Sequence, residues 1–220
     1  MFSSAPNKIF MTSDTSENSK AIPDWQEKLS QDPIMANLIQ TGKNIDQEAH
    51  EDIYLSLLGS IISQQLSTKV ARVIRNRFLD LFPGGYPQPE AILAQSDENL
   101  RSVGLSYQKL SYIRNVAAFA LAGNLDYNLI GEMENEVLIK HLTQIKGVGR
   151  WTAEMILMFT LTRPDVFPVD DLGIQNAMKK WYGLTQTGKT LQAEMIKIAE
   201  HWRPYRTLAS RYLWQSLDNG

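Results

Sequence analysis

The chain has 220 residues, of which 43% are hydrophobic and 21% charged, a composition that excludes a wholly disordered protein. It contains no cysteine, which excludes disulfides, thiolate zinc sites, cysteine nucleophiles and cysteine-held iron–sulfur clusters. The net charge of −2 argues against a polybasic nucleic-acid binder. The charge is uneven, however: residues 1–139 carry 11 Lys+Arg against 17 Asp+Glu, whereas residues 140–220 carry 11 against 7 and are locally basic.

Two features of the sequence bear on where the protein is located. No apolar stretch is long enough to cross a membrane, and the N-terminus lacks the pattern of a secretory signal, so we expect an intracellular protein with no membrane partner. Residues 1–21 are rich in serine and threonine and poor in large apolar residues, which predicts a disordered lead-in.

Apolar residues recur at helical spacing along the rest of the chain, and no period-2 alternation is present. The pattern predicts an all-α fold of about ten helices. Ser106 and Asn135 are predicted N-caps, and Gly104, Gly123 and Gly147 stand where helices are expected to end. The predicted helices cover two short segments separated by Pro33 within 22–38, then 53–63, 67–82, 89–94, 97–103, 106–122, 135–145, 150–161, 172–181, 190–201 and 204–217.

A hairpin between two of these helices is the most informative segment. Gly147-Val148-Gly149 separates them, in a helix-hairpin-helix unit at about residues 136–161. Glycines allow positive φ and close approach of the backbone, and the unpaired amides of a helix start form a site for anions such as phosphate. The alternative is a plain helix–helix turn with a glycine C-cap.

Four motifs in order give this hairpin a family context, and they lie within residues 45–217. They are Ile61–Ser67 (IISQQLS), Ile145–Ala153 (IKGVGRWTA), Asp165–Gly173 (DVFPVDDLG) and Trp202–Thr207 (WRPYRT). Together they resemble the helix-hairpin-helix (HhH-GPD) DNA glycosylases, and within that superfamily the DNA-3-methyladenine glycosylase II type. The resemblance implies two helical lobes flanking a DNA-binding cleft. Residues 53–165 would form the central lobe, and residues 22–52 with 166–217 the terminal lobe.

The same resemblance implies that Asp171 is catalytic. A carboxylate beside C1′ of the sugar stabilises the positive charge that develops as the base leaves, and it can orient or deprotonate the attacking water. Taken alone, an aspartate here is an ordinary N-cap, and we assign that local role to Asp170. Relatives that also cut the strand carry a lysine where this chain has Trp151, so no Schiff base and no lyase activity are expected.

The base pocket is expected to be partly aromatic. Trp151 and Trp214 match aromatic pocket positions of the resembling enzymes, whereas Met155 and Leu172 stand where the best-known member has tyrosines. Aromatic faces attract the positive charge of an alkylated purine by about 0.5–2 kcal/mol. For Trp214 the alternative is a purely structural place in the core of the last helix.

The remaining site predictions concern DNA contacts. In the resembling enzymes the turn matching Gln64-Gln65-Leu66 supplies a wedge that fills the space left by the extruded base. Gln65 and Leu66 both stay open as the wedge, and the alternative is a polar turn with Ser67 as N-cap. We expect phosphate contacts at the hairpin, and the resemblance also implies a Na⁺ or K⁺ site there. The phosphate-binding residues are Lys146, Gly147, Val148, Gly149, Arg150 and Thr152, and the ion would be held by the carbonyls of Thr143, Ile145 and Val148.

Three functions follow from these residues. The first is a monomeric, monofunctional glycosylase that excises alkylated purines of the 3-methyladenine and 7-methylguanine type from double-stranded DNA, in the cytoplasm and nucleoid or, in a eukaryote, the nucleus. It would require no cofactor. The second is a non-catalytic helix-hairpin-helix module, which needs neither Asp171 nor the tryptophans. The third is a glycosylase for oxidised or mismatched bases, which the missing lysine and cysteines disfavour.

Overall fold

The structure is a computed structural model that describes residues 24–45 and 52–218, and the predicted lead-in lies outside these residues. The described part is helical and contains no strand. None of its helices is long and apolar enough to cross a bilayer. Its α-helices are α1 Asp24–Leu29, α2 Pro33–Thr41, α3 Ile53–Ser63, α4 Thr68–Leu79, α5 Pro89–Ala94, α6 Asp97–Ser102, α7 Tyr107–Leu121, α8 Tyr127–Gly131, α9 Asn135–Leu142, α10 Arg150–Met155, α11 Leu172–Tyr182, α12 Gly188–Ala199 and α13 Arg206–Asp218.

These bounds confirm the all-α prediction and most of its elements. Helices α3 and α5 begin and end at the predicted residues, and Pro33 opens α2 after Asp32 caps it. The five-residue α8 escaped prediction because it is too short for an apolar repeat. The predicted cap Asn135 is wrong: Glu134 stands at the N-cap of α9, and the Asn135 side chain donates instead to the Asp165 carbonyl at 3.1 Å.

The apolar side chains form two separate buried clusters. The first is built from residues of the segment 53–166 and includes the wholly buried Phe78. The second combines residues of α1 and α2 with residues of α11, α12 and α13, and its largest buried side chain is Trp202. Trp214 packs against both clusters, so it lies where they meet. The division into lobes at 53–165 and at 22–52 plus 166–217 stays a prediction about folding units.

The segment between the clusters, residues 161–171, is held to the start of α13. The Thr207 hydroxyl accepts the Val166 amide at 3.0 Å and donates to the Arg163 carbonyl at 2.6 Å. The guanidinium groups of Arg203 and Arg206 both pair with Asp165. Because residues 162–171 form no helix, these contacts fix the path of the segment into α11.

Candidate active site

The carboxylate of Asp171 lies at the start of α11 and accepts hydrogen bonds from three donors. Its Oδ1 atom accepts the Ile174 amide and Trp214 Nε1, each at 2.8 Å. Its Oδ2 atom accepts Trp151 Nε1 at 2.7 Å. Each carboxylate oxygen has two lone-pair sites, so Oδ2 keeps one for a water molecule or a developing positive charge.

The capping role belongs to Asp171 itself, which corrects the assignment made from the sequence. Asp171 has extended φ and ψ and accepts from the third residue of α11, as an N-cap does. The neighbouring Asp170 accepts Gln192 Nε2 at 2.6 Å instead. One residue therefore both caps the helix and presents the carboxylate, because its two oxygen atoms face different partners.

Gly173 makes room for this arrangement. A Cβ atom at that position would lie 2.9 Å from Trp214 Cδ1, closer than Cβ atoms approach in folded proteins, and 3.0 Å from Asp171 Oδ1, which is also tight. Only glycine leaves the indole and the carboxylate in contact. The sequence pattern did not reveal this, because the clash involves α13, some forty residues further along the chain.

A groove lies beside Trp151. A cavity of about 400 Å³ is lined by Trp151, Met155 and the turn after α3, and an adjoining one of about 410 Å³ shares Met155 and is lined by Phe159. The ring of Phe159 stacks on Trp214 with centroids 5.9 Å apart. The guanidinium of Arg211 stands 5.3 Å from the centroid of the same Phe159 ring. The groove thus has an aromatic wall that extends through Phe159 to Trp214.

The four predicted pocket residues have different places. Trp151, 49% exposed, and Met155 line the groove, whereas Trp214 stands behind Phe159 and holds Asp171. Leu172 is 69% exposed beside Asp171. Sequence reasoning missed Phe159 altogether, since an aromatic residue in an apolar helix is indistinguishable from a core residue without the fold.

The turn after α3 presents Gln65. Its φ of +59° is left-handed, which is uncommon for a residue other than glycine, and its side chain is exposed. Leu66 is half-buried, and Ser67 caps α4. The Gln64 side chain donates through Nε2 to the Gly147 carbonyl at 3.1 Å, so it connects the turn to the hairpin and does not project from it.

The hairpin backbone is packed tightly on one side and open on the other. Gly147 has φ of +110°, and a Cβ atom there would lie 2.3 Å from Cγ of Tyr112. Gly149 faces open space. The expectation of an unpaired amide fails at Val148, whose amide donates to the Ile145 carbonyl at 2.9 Å and whose side chain is buried. Within the described residues the amides of Gly149, Arg150 and Thr152 have no hydrogen-bond partner, although the Thr152 side chain is buried.

Arg150 does not offer the free guanidinium that its place in the sequence predicted. It forms two hydrogen bonds with Glu136, at 2.5 and 3.0 Å, and one with Glu154 at 2.9 Å. These carboxylates neutralise it and raise its pKa further, chiefly through the Glu136 hydrogen bond. Lys146 is exposed and forms no ion pair within the described residues, so it is the available cation of the hairpin.

Glu154 is the buried end of this ion cluster. Its side chain lies almost wholly out of solvent, and Oε2 has no hydrogen-bond partner within the described residues. Burial raises the pKa of Glu154 to about 7, because the loss of solvent outweighs the attraction of Arg150. Helices α9 and α10 are thereby joined by an ion cluster whose charge depends on pH.

Comparison with known proteins gives this architecture its family. Residues 58–204 match the family described as HhH-GPD superfamily base excision DNA repair protein. The match spans the hairpin, the Asp171 segment and parts of both clusters. The chain belongs to the HhH-GPD superfamily.

Individual relatives agree with this. The chain is 38% identical over 165 residues to DNA-3-methyladenine glycosylase 1 of Schizosaccharomyces pombe, covering 74% of this chain and 72% of that protein. It is similar to the crystal structure of DNA-3-methyladenine glycosidase from Bacillus halodurans, with TM-score 0.79, 36% identity and 89% of each chain covered. It is also similar to S. pombe 3-methyladenine DNA glycosylase (Mag1) in complex with abasic DNA, with TM-score 0.76, 34% identity and coverage of 88% and 96%.

The packing of Gly147 predicts a contrast between the two hairpin glycines. We expect Gly147→Ala to lower the free energy of unfolding by about 2–4 kcal/mol, because the positive φ of this position is unfavourable for alanine and the added methyl group overlaps Tyr112. Gly149 has φ of −91° and open space around its Cα atom, so Gly149→Ala should change the free energy of unfolding by no more than about 0.5 kcal/mol. Urea unfolding of both variants measures the contrast. Equal effects would show that Tyr112 does not constrain the hairpin.

The raised pKa of Glu154 predicts a dependence of stability on pH. From about pH 4.5 to about 7 the folded state keeps a proton that the unfolded state has lost, so this group's contribution to stability falls as the pH rises through that window. The unfolding free energy of the wild type relative to Glu154→Gln should therefore decline between pH 4.5 and 8. Glu136→Gln is the control, since the Arg150 hydrogen bond lowers the pKa of Glu136 and places its effect at more acidic pH. A flat difference for Glu154→Gln would contradict the prediction.

Proposed function

We propose that the protein is a monofunctional DNA glycosylase of base excision repair, which hydrolyses the N-glycosidic bond of alkylated purines in double-stranded DNA and leaves an abasic site. The observation that carries this proposal is the Asp171 carboxylate, fixed by Trp151 and Trp214 beside an aromatic groove. Relatives at 34–38% identity named as 3-methyladenine DNA glycosylases support the substrate class. We expect the enzyme to act as a monomer where the cell holds its DNA, without an iron–sulfur cluster or another required cofactor.

The proposed chemistry needs one fixed negative charge. As the damaged base departs, positive charge builds on the sugar, and the Oδ2 atom of Asp171 faces it with a free lone pair. The two indole N–H groups hold the carboxylate in place before the reaction, so little reorganisation is needed when the charge develops. The same lone pair can accept a proton from the attacking water.

The groove receives the extruded base in this proposal. Trp151 offers a π surface to the cationic purine, and Met155 offers a polarisable sulfur. We assign the wedge to Gln65, because its side chain is exposed on a left-handed backbone whereas that of Leu66 is half-buried. Leu172, the first residue of α11, is exposed next to Asp171. The pocket therefore selects by charge and stacking more than by hydrogen bonds to base edges.

The hairpin would bind the DNA backbone through its open side. The amides of Gly149, Arg150 and Thr152 and the ammonium of Lys146 are its available donors, and Gly147 gives the backbone its turn. The carbonyls of Thr143, Ile145 and Val148 fit a Na⁺ or K⁺ ion, since they are neutral oxygen donors and Ile145 retains a second lone pair beside the Val148 amide. Such an ion would add positive charge for a phosphate.

Base release from defined duplexes tests the function. We expect the protein to release 3-methyladenine or 7-methylguanine from duplex DNA and to leave the strand uncut, because no lysine stands at position 151 to form an imine. Hypoxanthine and 1,N6-ethenoadenine duplexes, scored in parallel, define the range. Binding without release of any base would favour a non-catalytic module. Release of 8-oxoguanine alone, or borohydride trapping of a covalent adduct, would contradict the proposal.

Replacing the carboxylate separates chemistry from binding. Asp171→Asn should lower the single-turnover rate of base release by about 10²–10³-fold, because it removes the charge and turns a donor toward Trp151. Affinity for abasic duplex should change little. Asp170→Asn is the matched control, since the Asp170 carboxylate is hydrogen-bonded to Gln192 and not to the two indoles, and this variant should keep a rate close to that of the wild type. Full activity of Asp171→Asn would show that another group stabilises the transition state.

A further inference from the structure

One side of α7 contacts both of the elements that the proposed function assigns to DNA. Lys109 Nζ donates to the Ile62 carbonyl at 2.8 Å, at the end of α3 where the Gln65 turn begins. Six residues further along α7, Asn115 Nδ2 donates to the Lys146 carbonyl of the hairpin at 3.1 Å. Between them the Tyr112 ring packs against Gly147. Residues three apart on a helix share a side, so one rigid element supports both turns.

A direct bridge completes this connection. Gln64 stands next to the exposed Gln65 and donates to the Gly147 carbonyl across 83 positions of the sequence. Gly147 is therefore held from two directions, by the amide of Gln64 and by the ring of Tyr112. The Gln65 turn and the hairpin cannot move independently while these contacts persist.

Lys109 also places a positively charged ammonium group at the end of α3. Its ammonium is half-buried, and burial lowers its pKa. No carboxylate pairs with it in the part of the chain that the structure describes. An ammonium has three donors and here uses one on the Ile62 carbonyl, where it also complements the negative end of α3. Most surface lysines keep their ammonium group in water. Partial burial of the Lys109 ammonium therefore carries a desolvation penalty, which its contact with the Ile62 carbonyl offsets in part.

We propose that Gln64, Lys109 and Asn115 are positioning residues that set the separation between the Gln65 turn and the hairpin, and so couple phosphate binding to extrusion of the base. The proposal rests on the proposed glycosylase function and reassigns Gln64 from wedge to positioning residue. The hairpin fixes one phosphate, and the wedge must then meet the gap in the stack at a set distance from it. A displacement of about 1 Å can cost about 10²-fold in rate when groups must be placed in register.

If these residues act in extrusion, their substitution should lower the excision rate mainly where the base must be unpaired before it is extruded. The test uses single-turnover excision of 7-methylguanine from two duplexes, one with the lesion paired with cytosine and one with it opposite an abasic-site analogue, where less pairing must be broken. Gln64→Met and Lys109→Met keep the length of each side chain and remove its donor. We expect each variant to lose about 10-fold or more on the paired lesion and much less on the unpaired one. Lys109→Arg, which keeps a donor and the charge, should restore most of the rate.

Gln215→Met is the matched control. Gln215 bridges to the Lys43 backbone at 2.7 and 3.2 Å in the other cluster, so the substitution also removes side-chain hydrogen bonds between distant segments. It should leave the ratio of the two rates unchanged. Melting temperatures of all variants identify any that fail to fold. Gln64 is only half-buried, so Gln64→Met is expected to fold and can test the proposal even if Lys109→Met does not fold.

The outcomes separate this inference from the function on which it rests. The same pair of duplexes is prepared with 3-methyladenine if 7-methylguanine is not released. If the wild type excises neither base from either duplex, the glycosylase function is wrong. If the wild type is active and the variants lose equally on both duplexes, or lose nothing, the positioning role is overturned. A ratio shifted by Gln215→Met to the same extent would also overturn it, because the effect would then follow stability.

Discussion

The hydrogen bonds between one carboxylate and two indoles are the contact on which the site and its supporting framework both depend. Asp171 is bound by Trp151 at the start of α10 and by Trp214 in α13, and it caps α11. Three helices from distant parts of the chain thus meet at one side chain. Since Trp214 packs against both buried clusters, the arrangement of the clusters and the orientation of the carboxylate are set by the same contacts.

The path of the chain into Asp171 is fixed by polar contacts of a different kind. Asp165 pairs with Arg203 and Arg206, and Thr207 hydrogen-bonds the segment on either side of Pro164. A segment without helical hydrogen bonds needs such partners to hold one conformation. The Asp171 carboxylate therefore stands at the end of a loop whose position is set by contacts with the start of α13.

Internal pairing also changes what the charge of the chain means. Residues 140–220 are rich in basic residues, yet Arg150, Arg203 and Arg206 are each bound by carboxylates. Within the described residues, Lys146 of the hairpin and Lys109, which contacts the end of α3 before the Gln65 turn, form no ion pair. Binding of DNA in this proposal depends on a few placed donors and amides more than on a general basic surface, which accords with the net charge of −2.

The sequence by itself determined the helical class, most helix bounds and the family, because apolar periodicity, caps and short motifs are local properties. It also identified Asp171, Trp151 and Trp214 as candidates, by resemblance. Only the tertiary structure decided how they are used: that Asp171 is the cap, that Gln64 joins the hairpin, that Arg150 is neutralised, and that Phe159 forms a wall of the groove. Each of these four findings depends on contacts between residues far apart in the chain, or on which of several partners binds a given side chain. Such contacts leave no local pattern in the sequence.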